Sequence, residues 1–296
     1  MLTQNLAEIA DKQRGAFTWQ QARVEYSRSE IRVRVDRGEW VRVLHGVYRE
    51  ASRTPTTGLL VEAARLSLKV CDAVACHQTA AALHGFAILD DPRIHVLASA
   101  PRQSRAGLVV HRDHLSAADV VSVRGTPATN AARTAVDMAR TLDRLDAIAT
   151  LDAALRCGVP HPDLFTELTR HARKPGHRQA AELIPLADRR AESPMESRTR
   201  LRCLDAGLPR PVPQFKVTVR GKLYRLDGAW PEHRIGLEYE SGEWHTGGDA
   251  ASRDNPRHNG VTDLGWTMFY ATAPQVYRAP HTFTEPILRT VHGNGG

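Results

Sequence analysis

The sequence has few of the features that mark secreted, zinc-structured or membrane-spanning proteins. Its 296 residues include only four cysteines, and none of them has the paired C-x-x-C spacing of a structural zinc site. Isolated thiols of this kind also argue against a disulfide framework. No apolar run approaches the length of a membrane span, and the first residues lack the charged and apolar segments of a signal peptide. We therefore expect a cytoplasmic protein with no membrane partner.

Acidic residues are also in the minority. The chain has 40 Lys and Arg against 33 Asp and Glu, which gives a formal charge of +7. The surplus is concentrated between residues 170 and 222, which contain 13 Lys or Arg and 5 Asp or Glu. A local positive field attracts polyanions such as DNA, although a solvated basic surface explains the same composition. The charge balance therefore favours nucleic acid as a partner without requiring it.

The length is enough for several domains, each with its own hydrophobic core. The order of predicted helices and strands indicates a multi-domain α/β protein. We predict a winged helix-turn-helix over residues 1–54, a mixed α/β unit over 55–160, a junction over 161–190 and a second α/β domain over 191–296.

The first range is typical of three short helices followed by a hairpin. Thr18 can cap the second helix and Ser27 or Ser29 the third, and the hairpin comprises Trp40–Leu44 and Val47–Arg49. This is the layout of a winged helix-turn-helix, whose third helix and hairpin would contact DNA phosphates. The arginines in position to do so are Arg28, Arg32, Arg34 or Arg37, Arg42 and Arg49. The alternative is a small helical domain whose arginines are only solvated.

The second range alternates helical and extended segments. Helical periodicity covers residues 59–70, 79–84, 130–140 and 142–156, and short apolar runs at 94–98 and 107–111 predict strands. Residues 126–130 predict a turn before a helix. Five histidines fall here, with spacings that put no two on one helical turn: His77, His84, His95, His111 and His114. We interpret them as surface or hydrogen-bonded side chains rather than metal ligands.

Three acidic residues fall on two strands predicted for the last range. Residues 223–227 and 235–240 alternate apolar and polar side chains. Side chains repeat with period two along a strand, so Glu238 and Glu240 share a face, and Asp227 can lie on the same face of the neighbouring strand. Clustered carboxylates repel one another unless a proton or a cation lies between them. The pattern therefore predicts a site for a hard divalent cation.

A helix is predicted to begin just before these strands, at Ser193-Pro-Met-Glu196. Serine at the N-cap, proline at the first helical position and glutamate at the third form a capping box, which requires no functional residue. In the competing interpretation, Glu196 points from the helix to the carboxylates of the sheet.

The combined motifs of this region resemble a known family. Residues 190–292 contain Ser193-Pro-Met-Glu-Ser-Arg198, Ala206-Gly-Leu-Pro209, Leu226-Asp-Gly-Ala-Trp-Pro-Glu-His-Arg234, Gly236-Leu-Glu-Tyr-Glu240, Trp244-His245, Arg253-Asp254 and Gly265-Trp266. Together they resemble actinobacterial proteins whose C-terminal domain is related to very-short-patch-repair endonucleases. The resemblance implies the PD-(D/E)xK, restriction-endonuclease-like fold for the last range.

The same resemblance implies a metal centre. It makes Asp227 and Glu238 ligands of Mg²⁺ or Mn²⁺, with Glu196 as a third carboxylate. Such an ion would polarise the scissile phosphate and help to form a hydroxide nucleophile. The motif of the fold has lysine two residues after the second acid, where this chain has Glu240. His245 is then the candidate for proton transfer, although a substituted lysine is also what a degenerate nuclease would show.

Three further residues are candidates for DNA contact in this region. Trp244 can stack on a base or plug the edge of the core. Arg253 and Arg257 are four residues apart, so they can clamp a phosphate or lie together on a solvated helix face.

The first half of the chain resembles a second family. The segments that carry the resemblance are Gly38-Glu-Trp-Val-Arg-Val-Leu-His-Gly-Val-Tyr48, His77-Gln-Thr-Ala-Ala-Ala-Leu-His-Gly85 and Arg133-Thr-Ala-Val-Asp137. They are similar to the winged helix and following domain of AbiEi-type antitoxins, which are transcriptional regulators of type IV toxin-antitoxin systems.

Two classes of function follow. The first is a divalent-metal-dependent DNA endonuclease acting in repair or defence, with the winged helix bringing the active site to DNA. The second is a non-catalytic DNA-binding regulator of the antitoxin type with a degenerate nuclease domain. Both have DNA as a partner, both allow a partner toxin or repair protein, and neither uses a small-molecule cofactor. The carboxylates favour the nuclease, because like charges on one face cost stability unless they have a use.

Overall fold

The computed structural model describes residues 2–99, 106–241 and 256–293, with the side chains of 256–259 excepted. The chain divides into two compact units, Met1–Met138 and Ala139–Gly296. Each unit combines helices with sheet, which confirms the predicted multi-domain α/β class. The four ranges predicted from the sequence are finer than this division and stay predictions.

The first unit opens with three helices and a hairpin. Its elements are α1 (Gln4–Lys12), β1 (Ala16–Thr18), α2 (Trp19–Ala22), α3 (Arg28–Asp36), β2 (Trp40–Leu44) and β3 (Val47–Glu50). The strands pair antiparallel in the order β1-β3-β2. Thr18 caps α2 and Ser27 caps α3, each by accepting a backbone N–H three residues further on. Helices followed by a paired hairpin are the arrangement of a winged helix-turn-helix.

An aromatic and aliphatic core holds this winged region together. Phe17, Ile31 and Trp40 are almost fully buried. The Trp40 ring contacts the Phe17 ring edge-on at a centroid distance of 4.9 Å and the Tyr26 ring at 5.2 Å. Burial of a side chain of this size contributes about 1.5–3 kcal/mol. Because Ile31 is the buried residue of α3, most of that helix faces solvent.

A second sheet completes the first unit. Its elements are α4 (Thr57–Leu68), β4 (Val74–Ala75), α5 (His77–His84), β5 (Ile94–Leu97), β6 (Leu108–His111), β7 (Val120–Val123), β8 (Thr126–Thr129) and α6 (Ala131–Thr141), within which the boundary between the units falls. The strand order is β6-β5-β4-β8-β7. Strands β5 and β6 are parallel, as are β4 and β8, whereas the other neighbours are antiparallel.

The sequence interpretation of this sheet was incomplete. The turn predicted at residues 126–130 is wrong, because Thr126–Thr129 is strand β8 and pairs with β7. The tight turn is one step earlier, at Arg124-Gly125, where both residues have positive φ, 50° and 73°. Two consecutive residues with positive φ form the kind of turn that matches the twist of a hairpin. Strand β4 has only two residues, which is too short for a periodic signal.

Four helices open the second unit. They are α7 (Arg144–Arg156), α8 (His161–Arg170), α9 (His177–Leu183) and α10 (Pro194–Asp205). The range predicted as a junction, 161–190, therefore contains α8, α9 and a 3₁₀ turn at Ile184–Leu186. Helices α7 and α10 are joined by a buried ion pair, in which an Arg200 guanidinium nitrogen lies 2.7 Å from Asp152 Oδ2.

The sheet of the second unit follows. Its elements are β9 (Val212–Val219), β10 (Lys222–Trp230), β11 (Ile235–Glu240), α11 (Pro256–Asp263), β12 (Thr267–Thr272), α12 (Ala273–Arg278) and α13 (His281–Gly293). The strand order is β12-β11-β10-β9, with β11 and β12 parallel and the others antiparallel. Of the polar helix predicted over 250–259, residues 250–255 lie outside the described ranges. Within those ranges, no helix combines the length and the apolar character needed to cross a membrane.

Candidate nucleic-acid interface and carboxylate cavity

Helix α3 is fixed at its start by reciprocal hydrogen bonds. The Ser27 hydroxyl accepts the Glu30 backbone N–H at 3.2 Å, and the Glu30 carboxylate accepts the Ser27 backbone N–H at 2.7 Å. Hydrogen bonds to the Glu30 carboxylate from the Ser27 hydroxyl and from the Ser27 backbone N–H lower the pKa of that carboxyl, because they stabilise its charged form. The capping box therefore sets where the helix begins, and Ile31 sets which face is buried.

The remaining surface of α3 is exposed and mixes charged and apolar side chains. It carries Arg28, Ser29, Arg32, Val33 and Asp36. The Arg32 side chain is 83% exposed, and its Nε lies 3.7 Å from Asp36 Oδ2. Val33 is 43% exposed, which is unusual for an aliphatic side chain on a helix with a buried face. Such a face offers cations for phosphates or guanine and an apolar contact for the thymine methyl group.

Arg34, the third predicted contact on this helix, has a different environment. Its guanidinium carbon lies 4.6 Å from the centre of the Tyr26 ring and 5.7 Å from that of Trp40. A cation stacked on two rings at these distances stabilises the domain. The structure therefore directs Arg34 toward the aromatic core of the winged region rather than toward the exposed face of α3.

The hairpin contributes one exposed arginine from its first strand. A guanidinium nitrogen of Arg42 lies 2.7 Å from His45 Nδ1, and both side chains are exposed. Arg49 on the second strand instead donates to the backbone carbonyls of Glu50, Ala51 and Arg53. Exposed cations on α3 and on the hairpin are thus Arg28, Arg32 and Arg42.

The second unit contains an open cavity where the start of α10 meets the sheet. Its volume is about 380 Å³, and its lining includes Glu196 and Asp227 together with Glu192, Gln214, Leu223, Tyr224 and Arg225. Ser193 caps α10 by accepting the Glu196 backbone N–H at 3.1 Å. The Glu196 carboxylate accepts from Gln214 Nε2 at 2.8 Å and from the Glu192 backbone N–H at 2.9 Å. Glu196 therefore points toward the sheet, as the second interpretation of its motif predicted.

Asp227 lies where the regular pairing of the sheet is interrupted. Its neighbours Leu226 and Gly228 pair with Phe215 and Pro213, whereas Gln214, between those partners, has a left-handed φ of 53°. The Asp227 carboxylate accepts the Tyr239 backbone N–H of the next strand at 2.9 Å. A non-glycine residue at positive φ inside a strand is strained, and such strain is concentrated at functional sites.

The other two acidic residues lie differently. A Cβ at Gly236 would meet Met268 and Leu226, so Gly236 faces the same side of the sheet as those side chains. Because side chains alternate along β11, Glu238 and Glu240 face that side as well. Asp227 follows Leu226 and lines the cavity with Glu196. The structure thus places Asp227 and Glu196 in one cavity, which Glu238 and Glu240 do not line, and the predicted common face of Asp227, Glu238 and Glu240 stays a prediction.

The carboxylates of this region can be compared with the ligands that a divalent cation prefers. Carboxylate oxygens are what Mg²⁺ and Mn²⁺ prefer, and Mg²⁺ often uses only one or two of them with water. Asp227 and Glu196 fit that chemistry. Groups of three ligands within 4.8 Å of one another do occur among the described residues, but Asp227, Glu238 and Glu196 do not form one. The predicted metal-binding and catalytic roles of these residues therefore stay predictions.

Several predicted site residues lie outside the described ranges. Trp244, His245 and Arg253 are among them, and for Arg257 the backbone lies in α11 while the side chain is not described. Sequence reasoning also missed two residues that line the cavity. The Gln214 amide donates a hydrogen bond to the Glu196 carboxylate. The Arg225 guanidinium donates to the Glu192 carboxylate, with one N–O distance of 3.1 Å. Alternation with Asp227 along β10 was the available signal for Arg225.

Comparison with known proteins assigns the chain to a family. It is 40% identical over 267 residues to two sequences from Mycobacterium tuberculosis, uncharacterized protein Rv2248 of strain H37Rv and uncharacterized protein MT2308 of strain CDC 1551. The alignment covers 89% of this chain and 96% of each relative. The chain belongs to the Rv2248 family.

One segment also matches a described domain. Residues 73–186 match the AbiEi antitoxin C-terminal domain, which confirms that part of the resemblance seen in the sequence. The matched range runs from just before β4 to the end of the 3₁₀ turn after α9, so it contains the five-stranded sheet. It ends before α10 and does not reach the carboxylate cavity.

A solved structure from the same organism, described as the RV2827C protein, is a more distant neighbour. It aligns over 71% of this chain and 86% of its own at 16% identity, with a TM-score of 0.42. Similarity at that level assigns neither a shared fold nor a shared function. The AbiEi domain match and the Rv2248 relatives therefore carry the assignment of this chain.

Proposed function

We propose that this member of the Rv2248 family is a DNA-binding regulator that contacts duplex DNA through α3 and the β2–β3 hairpin. The observation that carries the proposal is the solvent-exposed surface of α3, where Arg28, Arg32 and Val33 are exposed while Ile31 is buried. A capped helix that buries one side chain and exposes cations along its length is suited to the major groove.

Two further observations support this proposal. The Arg42 side chain on the hairpin is exposed, so it can reach the phosphate backbone beside the groove. The AbiEi antitoxin domain match adds a biological context, because an antitoxin acts with a toxin. We infer a partner toxin from that match.

The experiment measures binding to duplex DNA as a function of salt. Duplexes selected from a random library would be titrated with the full chain, using fluorescence anisotropy at several salt concentrations. The double variant Arg28→Ala/Arg32→Ala is compared with Arg178→Ala, whose side chain on α9 is 94% exposed. If both arginines contact phosphates, the double variant flattens the slope of log K against log salt by about 1.8, at about 0.9 per phosphate.

Each result of this binding experiment tests a different part of the proposal. The single control variant should keep the slope of the unmodified protein, because it removes an exposed arginine from another surface. Absence of duplex binding at low salt refutes the proposed DNA-binding function. Equal slopes for the double variant and the unmodified protein refute the role of α3 in DNA contact. A Val33→Ala variant that keeps affinity but shifts the selected sequence at a thymine would identify base readout.

We propose a second candidate function, cleavage of DNA in the carboxylate cavity, because Asp227 and Glu196 share that cavity. These two residues would hold Mg²⁺ or Mn²⁺, which supplies charge neutralisation at a phosphate when bound. Gln214 orients Glu196 through its amide, and the Tyr239 N–H orients Asp227. Glu240 stands where the related fold has lysine, so proton transfer would need another group.

The cleavage test uses end-labelled single- and double-stranded DNA with Mg²⁺, Mn²⁺ or EDTA. Asp227→Asn is the test variant, because asparagine can still accept the Tyr239 N–H. Glu192→Gln is the matched control, since Glu192 lines the same cavity but pairs with Arg225. Metal-dependent cuts that vanish only in Asp227→Asn would support the nuclease, whereas intact substrates with every metal would eliminate it.

A further inference from the structure

Side chains suited to a soft or borderline metal converge in the five-stranded sheet of the first unit. Cys76 lies between β4 and α5, His77 is the first residue of α5, and His111 is the last residue of β6. One potential ligand atom from each lies within 4.8 Å of the other two. The pairing of β5 with both β4 and β6 brings them together, so residues far apart in sequence form one cluster.

A fourth side chain orients this cluster. His95 on β5 is buried, and its Nδ1 lies 2.9 Å from His111 Nε2. Its other ring nitrogen lies 3.1 Å from Asp91 Oδ2, and Asp91 is held by Arg93 at 2.7 Å. Because a carboxylate only accepts, His95 Nε2 carries the proton and the neutral ring accepts at Nδ1. His111 then donates from Nε2, which puts its lone pair on Nδ1.

The arrangement of carboxylate, histidine and histidine is familiar in metal sites. A ligating histidine usually donates its second ring N–H to a neighbouring acceptor, which fixes the tautomer and the direction of the lone pair. His111 has such an acceptor in His95, and Asp91 fixes the tautomer of His95. Burial lowers the pKa of His95, which keeps that ring neutral and able to accept.

The cluster is buried beside apolar strand residues. Cys76 is fully buried, His77 is 9% exposed, and neighbouring strand residues such as Ala75 and Val96 belong to the hydrophobic core. A bound cation would hold the Cys76 thiolate. Imidazoles and a thiol in such a core cost desolvation that a metal would offset.

His77 shows that the backbone is constrained at the same point. Its φ is 46°, in the left-handed region that favours glycine, although it is the first residue of a helix. The His77 ring stacks on the His111 ring, with centroids 3.8 Å apart and planes 13° from parallel. Lone pairs lie in the ring plane, so the His77 ring must turn about χ2 for both to reach one ion, while His111 keeps its hydrogen bond to His95.

We propose that Cys76, His77 and His111 bind a single transition-metal ion of the zinc type, with His95 as a positioning residue. One thiolate and two imidazoles are a soft to borderline donor set, which selects Zn²⁺ over Mg²⁺. Three protein ligands leave a fourth tetrahedral position for water or another group. The proposal does not depend on the DNA-binding function or on the carboxylate cavity, and it lies within the AbiEi domain match.

The experiment uses the full chain, reduced and freed of metal by a chelator. Zn²⁺ alone is titrated by calorimetry, and Co²⁺ by its thiolate-to-metal charge-transfer absorption. We expect one ion per chain, a cobalt spectrum with a thiolate band, release of a proton from Cys76 and a higher melting temperature with Zn²⁺. Absence of stoichiometric Zn²⁺ binding overturns the proposal, as does a cobalt complex without the thiolate band.

Variants locate the site and separate ligation from folding. Cys76→Ser should remove the thiolate band, whereas Cys71→Ser, an exposed thiol in the same unit, should leave it. If Cys76→Ser does not fold, His111→Asn tests the site at a half-buried position. Asp91→Asn should weaken Zn²⁺ binding by about 10–100-fold while keeping one ion per chain. Unchanged Zn²⁺ affinity in both Cys76→Ser and His111→Asn overturns the assignment.

Discussion

Replacement of Arg133 on α6 should destabilise the first unit strongly. The Arg133 side chain is 2% exposed, and its guanidinium faces three carboxylates. The distances are 2.7 Å to Asp137 Oδ2, 2.6 Å to Asp113 Oδ2 and 3.6 Å to Asp119 Oδ2. Arg133→Met keeps most of the volume and removes the cation from beside two buried carboxylates, Asp119 and Asp137, and the exposed Asp113. Breaking a buried ion pair in this way costs about 3–5 kcal/mol.

A loss of that size is a large part of the stability of a typical domain, about 5–15 kcal/mol. The assay is urea unfolding followed by hydrogen exchange and mass spectrometry, read on peptides from α6 and β8 so that the two units are separated. Arg178→Met is the matched control, because it removes an exposed arginine.

Neutralising the carboxylates around Arg133 tests whether uncompensated charge causes the loss of stability. Adding Asp119→Asn and Asp137→Asn to Arg133→Met should recover part of the lost stability, because the uncompensated charges are then removed. A loss below about 1 kcal/mol in Arg133→Met would refute the reasoning, since surface ion pairs already account for that much. Lack of any recovery would show that packing, rather than charge, makes Arg133 important.

Three further predictions concern single features. Ser27→Ala removes the cap of α3 and should lower the free energy of unfolding by about 1 kcal/mol, measured by thermal unfolding. An unchanged free energy of unfolding would show that the cap does not stabilise the helix. Burial opposes ionisation of Asp188, but hydrogen bonds from Arg190 outweigh it and lower the pKa of that carboxyl. Stability should therefore fall as the pH drops below about 4, the ordinary value for Asp, and Asp188→Asn should weaken that dependence in urea titrations from pH 3 to 7. Burial raises the thiol pKa of Cys76 and Cys203, so both should react with a thiol reagent only after unfolding, and rapid native modification of either would contradict its burial.

Local features of the fold were accessible from the sequence because they depend on neighbouring residues. Thr18, Ser193 and either Ser27 or Ser29 were predicted as helix caps, and Thr18, Ser27 and Ser193 each accept a backbone N–H three residues further on. The hairpin at Trp40 and the strand at Ile235 followed from alternation, which depends only on the pleat. The helices in the predicted junction were missed, because its proline, arginine and histidine content obscured the apolar periodicity.

The residues of the candidate sites could be predicted from the sequence only in part. Exposure of Arg28, Arg32 and Arg42 followed from their positions on a helix and a hairpin. Periodicity could not show that Arg34 turns back onto Tyr26 and Trp40, because that contact depends on how the helix packs.

The sequence by itself determined the class of the fold, the three helices and hairpin of the first range and the succession of C-terminal strands along the chain, since caps, turns and periodicity act over a few residues. Only the tertiary structure decided which side chains meet. Asp227, Glu196 and Gln214 line one cavity although they lie on different elements, which no regular alternation along one strand could predict. Strand pairing likewise gathered Cys76, His77 and His111, because hydrogen bonds between distant strands set contacts that sequence spacing does not encode.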